Sequence, residues 1–384
     1  MWRSAAMQSY EFKTEGLYQR LKGRIAEGLY QPGSRLPPEV ELATQLGVAR
    51  GTLRQTLERL ETERLIVRIR AKGTFVRKLE SGLAGKKIIA LLTLNYDDIS
   101  NPTNYLLPGV RGACAERGAN LDVLTLSHFR AMNFSYWIRA LRQDVQMAGI
   151  VIFGGKFTGD EDYIKVLQAI DKPVTMVECF PEDKETTGFA SVRSDYWRAW
   201  RDGILALKEL GHRRIGFLGP KGMDYFRCHS GRAEDFHAWL REEGLYHPAL
   251  LKTVESRYDD QRAVGQALSS LLALPGRPSA VMCYSDFYAL GLYKAAADMR
   301  VKIPQDIAVM GFCGYPGCQY LEPSLSTVDL NYFQMGQEAV SILAGSDEWF
   351  PGETPDKIMS HQVVMRDSSS INRFAREAIL EVPK

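Results

Sequence analysis

From residue 88 onward, apolar runs of strand length alternate with stretches of helical periodicity, and this alternation constrains the fold more than any other feature. The strand candidates include Ile88–Leu94, Leu121–Leu126, Ile150–Phe153, Val174–Val177, Ile215–Leu218, Ala280–Cys283 and Ile307–Phe312. Between them lie amphipathic stretches such as Trp197–Leu210, Ala233–Glu243, Ala263–Leu272 and Ala289–Met299. Repeated strand–helix units give a parallel sheet covered on both faces. The segment runs to roughly 300 residues, more than one core holds comfortably, so two α/β lobes with a cleft are expected. Ligands of open α/β sheets bind outside the carboxyl ends of the strands.

The first 78 residues read differently. Leu17, Leu21, Ile25 and Leu29 recur at four-residue steps, the stripe of an amphipathic helix. Tyr30-Gln31-Pro32-Gly33 reads as a turn. A second helix follows Pro37-Pro38 and covers Glu39 to Leu46, where Gly47 stops it. A third runs from Arg50 to Glu63 and buries Leu53, Leu57 and Leu60. Ile66–Arg70 alternates as a strand does, Ala71-Lys72-Gly73 turns, and Thr74–Val76 returns. That order is a helix-turn-helix with a wing. Arg50, Thr52, Arg54 and Gln55 lie near the start of the third helix, where a recognition helix meets base edges. An Arg in that place makes a bidentate contact to guanine worth about 1–3 kcal/mol of discrimination. Thr52 and the helix N-terminus suit phosphates. A solvated face on a structural helix accounts for the same side chains.

Charge divides along the same line. Residues 1–78 hold 15 Lys/Arg and 8 Asp/Glu, a net +7, while the remainder holds 33 and 38, a net −5. A basic head on an acidic body suits a polyanionic partner; ordinary surface charge gives the same partition. Arg77 to Lys87 is short, polar and glycine-containing, the composition of a linker. The expected organisation is a head at 10–78, a linker at 79–87, a body at 88–370 and a tail at 371–384.

The six cysteines (Cys114, Cys179, Cys228, Cys283, Cys313, Cys318) are scattered, with no CxxC or Cys/His metal spacing. They read as reduced thiols of a cytoplasmic protein. The N-terminus lacks the apolar core of a secretion signal, and no run of about 18 apolar residues offers a membrane span.

At the expected strand ends, three polar residues stand out. Asp286 follows Val281–Ser285, Asp195 follows a strand ending near Val192, and Arg232 precedes the helix beyond Ile215–Gly219. A carboxylate accepts two hydroxyl hydrogen bonds and Arg donates in a planar fork, so together they suit a polyhydroxylated ligand. Each Asp also fits a helix N-cap, Asp286 before Tyr288-Ala289-Leu290 in particular. Tyr96, Tyr225, Phe226, Tyr258 and Tyr315 fall in loops near strand ends and could lay an aromatic face on a sugar. Tyr258 is the one selected, and loop packing is the alternative for all five. His212 reads as structural.

Two resemblances sharpen these readings. Pro32-Gly33-Ser34-Arg35-Leu36-Pro37, Leu42-Ala43, Gly47-Val48-Ala49-Arg50-Gly51-Thr52-Leu53-Arg54, Leu60-Glu61 and Gly73-Thr74-Phe75-Val76 resemble the DNA-binding domain of the GntR family. Departures are Val40 for an Arg that contacts DNA, Ala49 for a capping Ser/Thr, and Ala71 for a wing glycine. This resemblance implies DNA contacts from Arg35, Arg50, Thr52, Arg54, Gln55, Lys72 and Gly73. Further on, Asn101-Pro102 with Gly109, Leu210–Pro220, Ser230-Gly231-Arg232 with Phe236, Ser285-Asp286 with Ala289-Leu290-Gly291, Ile303–Phe312, Pro323–Val328 and Met335-Gly336 resemble the LacI/GalR regulatory core, related to periplasmic sugar-binding proteins. In that family the positions of Asp195, Arg232 and Asp286 line the effector cleft. Tyr196 and Ser285 each replace an Asn, and Cys313-Gly314 replaces Asp-Asp. A GntR-like head on such a core resembles the arabinose-type repressors.

The resemblance implies a homodimeric repressor that binds a two-fold symmetric double-stranded operator and senses a sugar, with no catalytic residue, cofactor or metal. A nucleoside or other polar effector is the alternative. GntR-like heads also occur on aminotransferase-like bodies, but no lysine here has the setting of a Schiff-base residue, and no GxSxG, P-loop or HExxH is present. A solute-capture protein would share the cleft but would need export and no head.

Overall fold

The computed structural model describes residues 16–25, 29–30, 34–62, 65–69, 73–76, 83–93, 100–131, 133–221, 233–255, 260–346 and 354–369. The chain divides into two compact units, Met1–Ser81 and Gly82–Lys384.

In the first unit, α1 (residues 16–25), α2 (Glu39–Leu46) and α3 (Arg50–Thr62) precede a hairpin of β1 (Ile66–Ile69) and β2 (Gly73–Val76). Leu17 and Leu21 of α1 pack with Leu42 and Leu46 of α2 and Leu53, Leu57 and Leu60 of α3. Leu29, expected to extend the α1 stripe, is instead 67% exposed. It lies past the helix, with its N–H bonded back to the Arg24 carbonyl at 2.9 Å. Residues 34–36 join the hairpin as a third strand-like segment. Leu36 N–H donates to the Thr74 carbonyl and Val76 N–H to the Ser34 carbonyl, both at 2.8 Å. The wing is thereby fastened to the chain entering α2.

The second unit holds two six-stranded sheets. Lobe 1 begins with β3 (Lys87–Leu92), α4 (Thr103–Glu116), β4 (Asn120–Thr125), α5 (Leu126–Arg130), α6 (Phe134–Gln143) and β5 (Met147–Phe153). It continues through α7 (Asp162–Ala169), β6 (Val174–Val177), α8 (Pro181–Thr187) and β7 (Ala190–Ser194). Lobe 2 holds α9 (Tyr196–Glu209), β8 (Ile215–Pro220), α10 (Ala233–Glu242), β9 (Leu251–Val254) and α11 (Gln261–Leu272). Its remaining elements are β10 (Ala280–Cys283), α12 (Asp286–Asp298), β11 (Ala308–Cys313) and β12 (Ser326–Asp329). Then α13 (Tyr332–Ala344) and β13 (Asp356–Met359) return to lobe 1, and β14 (Gln362–Val364) ends in lobe 2. The sheet orders are β13-β7-β6-β5-β3-β4 and β14-β12-β11-β10-β8-β9. Central strands such as β3, β10 and β11 are buried on both faces, which is why they read as unbroken apolar runs.

All pairings within the two sheets are parallel except β14 with β12. The expectation of parallel sheets fails at that strand because β13 runs straight on through Ser360 and His361 into the other lobe. The chain thus crosses between lobes three times: at Ser194–Asp195, at Leu330–Asn331 and at Ser360–His361. The last two crossings are joined, since the Asn331 side-chain amide donates to the Ser360 carbonyl at 2.7 Å. No helix among the described residues is long and apolar enough to cross a membrane.

Candidate functional site

The period of α3 turns Leu53, Leu57 and Leu60 inward and leaves Arg50, Arg54 and Gln55 exposed on one outer face. Thr52, expected at a phosphate, is 6% exposed and packs on the inner side with Thr56, whose hydroxyl donates to the Thr52 carbonyl at 2.9 Å. A side chain so placed contributes to the core of the head. Arg54 is held at its outer end: Nη2 lies 3.1 Å from Oε2 of Glu39 at the start of α2. Arg68 of β1 donates through Nη2 to the Arg54 carbonyl at 3.2 Å. The structure also brings Arg35 and Gly73 together. The Arg35 guanidinium lies over the wing where a Cβ on Gly73 would come within 2.6 Å of its Nε. Lys72 lies outside the described residues.

In the body, strand direction places the cleft. β7 ends at Ser194 and enters lobe 2, and β12 ends at Asp329 and returns to lobe 1, so the carboxyl ends of both parallel sheets face each other. Backbone strain gathers there. Among the described non-glycine residues with positive φ, Lys156 (62°) follows β5, Glu178 (57°) follows β6, Cys313 (106°) ends β11 and Asn331 (57°) sits in the second crossing. Residues held in sparsely populated backbone regions cluster at ligand clamps and switches. Exposed Lys156 and half-buried Phe180 and Tyr196 gather in the same place. The Lys156 ammonium lies 5.4 Å from the Phe180 ring centroid, and Phe180 and Tyr196 stand 6.5 Å apart. Burial holds the Lys156 pKa below its usual value, against the attraction of Asp183.

Asp195 caps α9, its carboxylate accepting from the Arg198 N–H at 3.0 Å, and it is half-buried at the first crossing. Asp286 is not an N-cap: it is the first residue of α12, after Ser285. It is 2% exposed. The Thr327 hydroxyl donates to its Oδ1 at 2.6 Å and the Tyr315 N–H to its Oδ2 at 2.7 Å. Burial pushes its pKa up to about 6, against those hydrogen bonds. Gly311 makes room for it, since a Cβ there would lie 2.1 Å from Oδ1. Arg232 and Tyr258, with Tyr96, Tyr225 and Phe226, lie outside the described residues, so Asp195 and Asp286 are the two cleft candidates whose places are known. Tyr315, the remaining loop aromatic, is buried between the lobes. His212 is buried, its Nδ1 2.8 Å from the Ser279 hydroxyl, with its pKa lowered by burial.

Comparison with known proteins fits this geometry. Residues 13–76 match the model for bacterial regulatory proteins of the gntR family, and residues 204–369 match that for a periplasmic binding protein-like domain. The chain joins a gntR-type head to a periplasmic-binding-protein-like body. The arabinose metabolism transcriptional repressor of Geobacillus stearothermophilus is 25% identical over 346 residues, 85% of this chain and 89% of that one. The transcriptional repressor CytR of Escherichia coli K12 is 27% identical over 226 residues, 58% of this chain. The match spans only 63% of CytR's own length. A CelR–cellobiose complex superposes with a TM-score of 0.57 at 19% identity, covering 87% of this chain and all of that one. A LacI family regulator from Enterococcus faecium with bound ribose gives a TM-score of 0.56 at 20% identity, covering 73% and 98%.

Several residues of the gntR-type head and the body were not among the sequence candidates. Glu39 and Arg68, which fix Arg54, come from other elements and carry no signal of their own. Thr327 and Glu178 meet the cleft only through tertiary contacts. Positive φ at Lys156, Glu178 and Cys313 has no counterpart in residue type, since none is Gly or Asn.

Proposed function

We propose that this chain is a ligand-responsive transcription repressor. As a cytoplasmic homodimer, it reads double-stranded operator DNA with Arg50, Arg54 and Gln55, aided by Arg35, Lys72 and Gly73. Its cleft takes a sugar or related polar metabolite near Asp195, Arg232, Tyr258 and Asp286. No catalytic step, cofactor or metal enters this reading. The observation that carries it is the single outer face of α3, where Arg50, Arg54 and Gln55 stand exposed beside a wing in the same chain as a two-lobed body. One small winged helix covers few base pairs, so two-fold pairing of heads supplies the length of the site.

An operator selected from a random duplex pool tests the head. Wild type should retain symmetric sequences, bind them with steep salt dependence, and lose them on joint Arg50→Ala and Arg54→Ala substitution. Undiminished binding by the double variant would remove α3 from the reading role. A thermal-shift screen over sugars and nucleosides tests the cleft, because a ligand bound only to the native state raises stability by RT ln(1 + [L]/Kd). A nucleoside hit beside a silent sugar set would replace the sugar. Ligand and DNA would be linked through lobe closure, commonly by about 1–3 kcal/mol.

A further inference from the structure

Tyr315 follows β11 in lobe 2, but its side chain is seated in lobe 1. Its ring stacks on Tyr105 of α4, with centroids 4.1 Å apart and planes 21° apart. Its hydroxyl donates to the Ser100 carbonyl, in the segment before α4, at 2.9 Å. Phe287 of α12 packs on it at 5.2 Å, and Tyr332 at the second crossing at 6.0 Å. The residue is 6% exposed. Its backbone is fixed from below by the bond from its N–H to Asp286. The two residues before it, Cys313 (φ 106°) and Gly314 (φ 75°), bend the chain toward the opposite lobe. Tyr332, the first residue of α13 in lobe 1, bonds Glu178 Oε1 of the same lobe at 3.0 Å, and its hydroxyl lies 3.7 Å from Cys313 Sγ at the end of β11.

We propose that Tyr315 is a latch between the lobes, with Asp286 as its positioning residue: the hydroxyl bond to Ser100 and the stack on Tyr105 hold the lobes together through protein contacts alone. A latch of this kind populates the closed state before any ligand arrives. A ligand that prefers the closed state then binds with an apparent affinity set by the fraction already closed. The latch itself does not depend on the effector reading; only that regulatory consequence rests on it. Asp286, on this account, acts by anchoring the turn that carries Tyr315.

The test is made on the full chain without ligand or DNA, so its outcome is separate from that of the DNA and effector assays. Spin labels go on Lys165→Cys in lobe 1 and Lys302→Cys in lobe 2, both exposed positions. Cys228→Ser is added, since the other five cysteines are buried. Pulsed dipolar spectroscopy then gives the distribution of inter-lobe distances. Wild type should be dominated by one short distance. Tyr315→Phe loses the hydroxyl bond and keeps the stack, and the closed-to-open ratio should fall roughly fivefold, as for one ordinary hydrogen bond. Tyr315→Leu loses both and should open the lobes further. Tyr293→Phe is the control: its hydroxyl bonds the Pro323 carbonyl at 2.9 Å inside lobe 2, and its loss should leave the distribution unchanged. If Tyr315→Leu does not fold, the phenylalanine variant decides. A wild-type distribution in a folded Tyr315 variant overturns the latch, as does equal opening in Tyr293→Phe.

Discussion

Arg50 and Arg54 on the head stand in solvent, whereas Asp286 in the body is 2% exposed with both carboxylate oxygens already bonded. The two regions hold candidate residues under different physical terms. A reading surface leaves long side chains accessible because its partner supplies the hydrogen bonds. A buried carboxylate must find partners within the chain, since an unpaired one is costly. Changes on the head should therefore alter binding with little effect on folding, and changes around Asp286 should alter folding first.

The largest effect is expected at Gly311→Ala. The added methyl would lie 2.1 Å from Asp286 Oδ1, and such overpacking should cost about 3 kcal/mol. A wild-type denaturant midpoint would mean the site relaxes, and the contrast with the head would weaken. Asp286→Ala should follow at about 2 kcal/mol, because it leaves the Thr327 hydroxyl and Tyr315 N–H unbonded in a buried site. On the head, Arg50→Ala and Arg54→Ala should each cost about 1–3 kcal/mol in operator affinity. Their unfolding free energies should stay within about 0.5 kcal/mol of wild type. A melting temperature that falls in step with affinity would erase the distinction between the regions.

A pH series sharpens the contrast. Asp286 in the folded chain holds its proton up to about pH 6, above the usual value of 3.8. The folded state thus binds more protons than the unfolded state between those values. Stability should fall as pH rises through that window, by at most about 1.4 kcal/mol per pH unit for one proton. Asp183 and Asp329, also raised by burial, act in the same direction. Asp286→Asn should flatten the slope measured by unfolding at fixed temperature; an unchanged slope would assign it to other groups. The smallest effect is expected at Glu39→Gln, which removes the partner of Arg54 at a largely solvated ion pair. Its stability change should stay below about 1 kcal/mol.

The limits of the sequence reading follow from distance along the chain. β6 and β10 fall at the expected residues because their side chains, all apolar but Thr175, are buried on both faces. β9, β12, β13 and β14 escaped because they are short and carry polar residues such as Lys252, Thr327, Asp356 and Gln362. On α3, helical period alone exposes Arg50, Arg54 and Gln55 and turns Thr52 inward beside Leu53 and Thr56. The surroundings of Asp286 come from Tyr315 and Thr327, 29 and 41 positions away. Tyr315 in turn meets Ser100 across 215 positions. Local pattern carries no record of such contacts.

The third crossing bears on how the body is made. Residues 356–364 supply one edge strand to each sheet, and Asp356 also pairs with Arg193 of β7 through two bonds of 3.0 and 2.8 Å. A ribosome reaches this stretch only after it has synthesised both lobes otherwise entire. Until then each sheet lacks a border strand, and β12 and β7 present open edges to whatever is near. Nascent chains of this protein thus have a late window of vulnerability to pairing with one another. A released chain cut short just before Asp356 would hold two nearly complete lobes, neither of them closed.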